Sequence, residues 1–585
     1  MKVADYILKR LEMAGLKDIF CFPGGGCLFL VDAINRTSIR PIFNLHEQAC
    51  AICAEGYAQA TNSLGALLVT TGPGVLNAMT GVAAAYYDSI PLIVLSGQVN
   101  TTQRAKSRGV RQYAPQEVPT GDLVKPIVKQ FYELTSAIGI ADIMADALNT
   151  AVSGRPGPVW IDVPLDVQQM EVIEEKPYQV AIPKDDDDKE INRCIKSIIT
   201  LLEISERPVI LVGNGVRLAG ATDTLRKILE YIRVPVLTSW KALDLFEEDH
   251  PLYCGRPGIV AERGPNWTQQ ASDLLICLGT RLDLCQTAFN HTDFAPSAHK
   301  IIVDVDVAEL SKFKFGNKTL IEANLNTFMS RLCEKICGQG WNALHYENQP
   351  WLDQCKKWRA DYPLEEETTD KVSLYHFFNE LSKLLTKDDV VVLGSSGSVS
   401  EVGQQAIKII HRGTRVFCSP GLGAMGFGLP EAIGAAVAGA RRVICVEGDG
   451  SFAMNMHELA LVKAMKLPIV FFVLNNGGYV SIINSQNNLC GGRLLGVTEQ
   501  TGLHLPCYYS VAKCFDIPYM SLRNNYEVDE FLTDVVNTPS NAPYMCELFG
   551  NPNHQSQPRT KTVKNPDGSL TNMGMSNMWP FIERI

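Results

Sequence analysis

Long apolar runs are missing from this sequence. None approaches the roughly 20 residues needed to cross a bilayer, which argues against a membrane-spanning chain. Positive charge is in deficit: 53 Lys and Arg stand against 63 Asp and Glu, a net charge of −10. No basic stripe breaks that pattern, so nucleic acid is a disfavoured partner. No short-period repeat is visible. The 17 cysteines lie scattered, many inside apolar runs, as at Cys21, Cys277 and Cys445. Cys50 and Cys53 in CAIC have no second pair to complete a metal site. Buried small hydrophobes in a reducing cytoplasm are the expected role. The N-terminal MKVADYILKRLEMAG spaces its apolar residues as a helix does and reads as an amphipathic first helix, not a signal peptide.

What is present is ordinary globular material, 46% hydrophobic, long enough for about three to four domains. Strand-like runs repeatedly lead into Gly-rich turns and then into helix-like segments. Residues 1–170 carry PGGG, TGPG and PLDV turns of this kind. A charged linker with DDDDK follows. A second block, 190–340, contains RPVILVGNGV, DLLICLGTRLD and HKIIVDVD; a stretch with Trp341, Trp351 and Trp358 leads to a third block, 371–550. Residues 551–585 read as an ordered tail or lid. The pattern predicts an α/β protein of three doubly wound parallel-sheet domains, the first and third alike and the middle one different.

The third block holds the densest chemistry. Glu447 to Tyr479 reads EGDGSFAMNMHELALVKAMKLPIVFFVLNNGGY, with Asp449 and Asn476 separated by 27 positions. A strand, a helix and a second strand between them would bring both turns to one sheet edge. There a carboxylate and a carboxamide suit a hard cation, and Gly-rich turns offer N–H groups to a phosphate. Asp449, Asn476 and the Gly478 carbonyl are the candidate Mg²⁺ ligands. Gly450, Ser451 and Tyr479 stand beside them.

GDG, about 27 residues, then NN resembles the thiamine-diphosphate motif of the acetolactate synthase and pyruvate decarboxylase superfamily. The resemblance implies further site residues. Gly397 and Ser398 in GSSGSVSE match where that family touches the diphosphate. In SPGLGAMGFGLPEAIGAA, the Gly423 carbonyl and Met425 would hold the aminopyrimidine. In the first block, HEQ…AEGYA…TGPG places Glu47 as the carboxyl that activates the cofactor through the pyrimidine ring. Gly26 in PGGG and Gln116 in YAPQEV fall on the substrate side. His46 reads as a packing or orienting residue. The middle block, which has no G-x-G-x-x-G, is similar to one that often carries FAD. The active unit would be a homodimer or homotetramer, with Glu47 serving a neighbouring subunit's cofactor.

One departure stands out. Acetolactate synthases place a Trp after the NN pair, where this chain reads YVSIINSQNN, with Asn484 and Ser485 near that position. The resemblance therefore implies decarboxylation of a pyruvate-like 2-keto acid and transfer to a carbonyl acceptor that is not standard, a keto-sugar among the choices. A simple decarboxylase and a flavin-dependent pyruvate oxidase remain open as alternatives. A non-catalytic cofactor-binding subunit is disfavoured by the joint presence of Glu47, Asp449 and Asn476.

Overall fold

The computed structural model describes residues 1–105, 108–172, 188–337, 346–395, 397–539 and 541–582. Trp341 and most of the charged linker lie outside the described residues. The larger strands form three sheets whose pairings are all parallel. The first contains β1 (Asp18–Cys21), β2 (Arg40–Phe43), β3 (Gly65–Val69), β4 (Leu92–Gln98), β5 (Gln130–Glu133) and β6 (Val159–Pro164), in the order β2-β1-β3-β4-β6-β5. The middle sheet contains β7 (Pro208–Val212), β8 (Val236–Thr238), β9 (Leu274–Leu278), β10 (His299–Asp304) and β11 (Lys318–Glu322), in the order β11-β10-β9-β7-β8. The third contains β12 (Asp389–Leu393), β13 (Arg415–Phe417), β14 (Arg442–Gly448), β15 (Ile469–Asn475), β16 (Tyr519–Leu522) and β17 (Tyr544–Phe549), in the order β13-β12-β14-β15-β17-β16. Renumbered from one, the outer sheets share one order and the middle sheet has another.

The central strands are continuous apolar runs, as expected where helices cover both faces. GALLV and DVVVL are buried throughout. The strands that sequence pattern did not predict are β5, β11 and β16. Each lies at a sheet edge and each is only partly buried, so none carries the same apolar signal. Each outer sheet has one private core face. Their other faces share a core that contains Phe20, Ile42, Val69, Val392, Phe417 and Phe471.

Two helices seal that shared core. The Glu47–Thr61 helix is capped by His46, whose Nδ1 accepts from the Gln48 N–H at 3.1 Å. It crosses the Gly428–Val437 helix, and both need glycine at the crossing. A Cβ on Gly56 would sit 2.3 Å from the Glu431 carbonyl oxygen, and one on Gly434 would sit 2.0 Å from that of Cys53. Cys50 and Cys53 are fully buried here, and burial pushes both thiols far above their ordinary range. All 17 cysteines are unpaired.

The middle domain has its own core and ties the outer two together. Lys241, just past β8, donates to the Cys418 carbonyl at 2.8 Å and pairs with Asp88 at 3.1 Å. Arg155 of the first domain reaches Asp306 at 3.0 Å and Glu309 at 2.7 Å. Residues beyond 550 run across the middle domain: Arg263 donates to the carbonyls of Met578 and Pro580, and Trp267 to that of Ser576. No helix among the described residues is long and apolar enough to cross a membrane.

Candidate active site at two sheet edges

The sequence-predicted residues gather in two groups. The first lies past the ends of β1 and β3. PGGG follows β1 and folds directly onto the Thr70–Thr71 turn that follows β3. The Gly26 N–H donates to Thr70 Oγ1 at 3.2 Å, and Gln168 Nε2 donates to the Gly26 carbonyl at 2.7 Å. A Cβ on Gly26 would overlap Thr71 Oγ1 at 1.9 Å, so only glycine fits. The Thr71 hydroxyl is buried without a partner. Gln116 is exposed, with φ of 65°, and its backbone carbonyl rests on Gly72, where a Cβ would come within 2.1 Å. Glu47 opens its helix at 5% exposure. Its Oε2 accepts from Asn77 Nδ2 at 2.9 Å, and Gly74 leaves room beside Oε1.

The second group lies past the ends of β12, β14 and β15. Asp449 is 3% exposed. Its Oδ1 accepts from the Gly450 N–H at 2.7 Å and its Oδ2 from the Gly478 N–H at 3.2 Å. The GDG turn and the NN loop therefore meet at one carboxylate. Burial pushes that carboxyl up to about 6, against these backbone donors. Asn476 is buried beside it. The other asparagine of the pair is used differently. Asn475 Nδ2 donates to Glu547 at 2.6 Å and ties β15 to β17. The Tyr479 ring packs on Gly450, where a Cβ would lie 2.1 Å from the ring edge.

Gly397 begins the Gly397–Ala406 helix and Ser398 is buried in its first turn. A Cβ on Gly397 would strike Ser481 Oγ at 2.0 Å. Gly423, at φ of 64°, is exposed and Met425 is half-buried. Their segment is anchored on both sides: the Gly426 N–H donates to Ser451 Oγ at 2.8 Å, and the Gly426 carbonyl accepts from Asn455 at 2.6 Å. Ser451 donates in turn to Glu447, whose other oxygen accepts the Leu429 N–H at 3.0 Å. Burial raises Glu447 to about 7. The hydroxyls of Ser395 and Ser419, both next to predicted cofactor turns, are buried without partners.

The contacts of the Glu47 carboxylate stay on its own sheet. The link between the two groups runs through a neighbour: Asn455 Nδ2 also donates to Gln48 Oε1 at 3.3 Å. Glu458 adds another, accepting from the N–H groups of Leu45 at 2.8 Å and His46 at 3.1 Å.

Several members of the site had no visible sequence signal. Asn77, Ser481 and Asn455 are single polar residues in ordinary surroundings, and only the folded chain shows what they face; Thr71 of TGPG and Ser395 of GSSGSVSE lie inside motifs that do not mark them individually. Glu447 was the exception, standing two residues before Asp449 at the end of β14.

Residues 1–124 match the N-terminal TPP-binding domain of thiamine pyrophosphate enzymes, 195–332 the central domain and 395–547 the C-terminal TPP-binding domain. The chain is 33% identical over 589 residues to a probable acetolactate synthase large subunit of Methanocaldococcus jannaschii, covering 98% of this chain and 95% of that one. It is 31% identical over 557 residues to the acetolactate synthase isozyme 2 large subunit of Escherichia coli, covering 94% and 95%. With acetolactate synthase 1, chloroplastic, of Zea mays it shares 30% over 570 residues, covering 94% and 85%. The chain belongs to the thiamine-diphosphate-dependent, acetolactate-synthase-like enzymes, and its reaction is carbon–carbon bond formation with that cofactor.

Proposed function

We propose that this enzyme decarboxylates a pyruvate-like 2-keto acid and joins the retained acyl unit to a second carbonyl compound, using thiamine diphosphate and Mg²⁺. The observation that carries the reading is the buried Asp449 carboxylate, held between the GDG turn and the NN loop. Its neighbours form an all-oxygen donor set: the Asp449 carboxylate, the Asn476 carboxamide and the Gly478 carbonyl suit a hard cation. Gly397, Ser398, Gly450 and Ser451 would take the diphosphate, with Tyr479 closing over Gly450. The glycines that a Cβ would block, together with the unpartnered hydroxyls of Ser395, Ser419 and Thr71, support the fit. When bound, the cofactor supplies the electron sink that makes loss of CO₂ feasible.

The chain's own residues do the rest. The Gly423 carbonyl and Met425 orient the aminopyrimidine. Glu47, fixed by Asn77, holds a proton at the far side of that ring. Gly26 and Gln116 border the space left to substrate. Because the Glu47 contacts remain on its own sheet, the site is completed by a second copy of this chain, as a homodimer or homotetramer. Exposed Leu28, Phe43, Leu45, Leu76, Leu422 and Met454 near the two edges are suited to that association. Free thiols throughout fit a cytoplasmic setting.

The acceptor is more polar than a simple keto acid, with a keto-sugar the leading choice. In support, the Val480–Leu489 helix carries no Trp, and Asn484 Nδ2 is anchored to the His554 carbonyl at 2.9 Å. A flavin fits less well. Past β7 and β9 the loops touch backbone to backbone, with the Gly215 N–H on the Gly279 carbonyl at 3.0 Å. None of the described residues there is a buried polar group without a partner.

Glu47→Gln tests the core of the reading. Cofactor and Mg²⁺ binding should survive while CO₂ release falls by about 10²–10⁴; near-wild-type turnover would sink the assignment. Incubation of pyruvate with keto acids, aldehydes and keto-sugars, read by mass, identifies the acceptor. Free aldehyde as sole product would favour the decarboxylase, and oxygen uptake the oxidase.

A further inference from the structure

A separate cavity of about 540 Å³ lies between the middle and third domains, away from both glycine-rich edges. That size is within the range of small-molecule sites. Its walls come from residues 248–262, the Gln349–Asp361 helix and the Leu374–Leu384 and Gly397–Ala406 helices.

Deep in this wall is a guanidinium without a counter-charge. Arg256 is 3% exposed. Its Nη2 donates to the carbonyls of Gln405 at 3.1 Å and Ile407 at 2.7 Å, at the C-terminal end of the Gly397–Ala406 helix. Its Nε is buried with no partner. Among the described residues no carboxylate pairs with it. Arg359 in the same cavity is the opposite case: its Nε meets both oxygens of Glu262, at 3.0 and 2.9 Å, and its Nη2 meets Glu248 at 2.8 Å.

The other charges are equally uneven. Glu262 and Glu248 are engaged by Arg359, and Glu366 by His376. Lys356 has no ion-pair partner among the described residues, and Lys408 donates to the neutral Asn379 at 3.0 Å. Exposed Asp249 is the one lining carboxylate outside these pairs. Over the whole lining four cations stand against four carboxylates, but three of the acids gather on Arg359 and His376, so that Arg256, Lys356 and Lys408 are left without a carboxylate partner among the described residues. A buried guanidinium is costly to keep unless an anion or a full set of acceptors meets it.

We infer that this cavity binds a small anionic metabolite, its phosphate or carboxylate group seated on Arg256 and flanked by Lys356 and Lys408. The helix that Arg256 holds at one end begins at Gly397 and Ser398. On the function proposed above, occupancy is then coupled to cofactor affinity, and by the same factor in both directions.

Calorimetry on the enzyme saturated with thiamine diphosphate and Mg²⁺, at constant ionic strength set with chloride, decides the matter. Inorganic phosphate and malonate are the probes. Saturable binding of one anion per chain is expected; phosphate alone assigns a phosphorylated ligand, malonate alone a carboxylate. Arg256→Gln should weaken that binding by about tenfold or more, and Lys356→Ala with Lys408→Ala by a smaller factor. Absence of saturable binding to either probe overturns the site. So does equal affinity in wild type and the Lys356/Lys408 variant, which also decides the case where Arg256→Gln does not fold. Anion binding retained in Glu47→Gln separates this site from the fate of the catalytic reading.

Discussion

The carboxyl edges of the middle and third sheets are built alike and finished differently. Both are doubly wound parallel sheets with glycine turns at the point where strand order reverses, the usual place for a ligand. At the third edge the polar groups outnumber their partners: Ser395 and Ser419 are buried and unsatisfied, and Asp449 is held by backbone N–H groups alone. At the middle edge the same kinds of turn close on one another, and the nearby charges are already engaged. Lys241 is on Asp88 and Cys418, and Asp306 and Glu309 are on Arg155. One edge keeps buried polar groups free; the other uses its charges to join the domains. Shared topology does not decide which becomes a site. The balance of satisfied and unsatisfied polar groups does.

The sharpest break of that comparison comes at the joint. Lys241→Met should destabilise the protein by about 3–5 kcal/mol, because it leaves Asp88 in a buried seam without its cation. A large drop in the thermal transition is expected, together with weaker cofactor binding, since Asp88 also accepts the Gly421 N–H at the start of the aminopyrimidine segment. An unchanged transition would mean that the middle edge is not a joint.

The opposite result is expected at the open edge. Asp449→Ala should leave the transition of the cofactor-free protein near that of wild type and reduce Mg²⁺-dependent cofactor affinity by about 100-fold. Unchanged affinity by calorimetry would remove Asp449 from the ligand set.

A matched pair of glycine changes divides the two edges more finely. Gly213→Ala puts a Cβ 2.1 Å from the Gly279 carbonyl oxygen, backbone against backbone. Gly450→Ala puts one 2.1 Å from the Tyr479 ring, which can rotate away. The first should cost about 1–3 kcal/mol of stability without touching cofactor affinity. The second should cost mainly affinity. The same readout from both variants would erase the distinction.

Much of this was legible in the sequence, for identifiable reasons. Asp449 and Asn476 each directly follow a strand, so the sheet brings them together once the strands are recognised. Glu47 was visible only through resemblance, because a Glu at a helix start is commonplace. The likeness of the outer domains showed in their alternating turns and returned as one strand order. What could not be read were pairings across long separations. Lys241 with Asp88, Glu458 with Leu45 and Gln59 with Glu431 join residues from different domains, and no local pattern marks them. Three of the edge strands, β5, β11 and β16, give no signal for the complementary reason: half-buried strands lack the apolar run that marks the central ones.

The smallest effect, and the most specific to the seam, is a pH dependence centred on Glu431. Its carboxyl is buried, accepts from Gln59 Nε2 at 2.8 Å on one oxygen, and leaves the other without a partner. Burial raises it to about 8, with Asp88 adding to the shift and Lys241 opposing it. The folded protein therefore keeps a proton on Glu431 that the unfolded chain releases near the ordinary carboxylate value of 4.5. A raised carboxyl stabilises the fold fully below the unfolded value, and that contribution fades as pH rises through the folded one. Between about pH 5 and 8.5 the wild-type transition should fall as pH rises. Glu431→Gln keeps the shape of the neutral acid and cannot ionise, so its transition should be flatter over the same window. A wild-type profile that rises with pH, or a variant that follows it point for point, would show that the proton is held elsewhere.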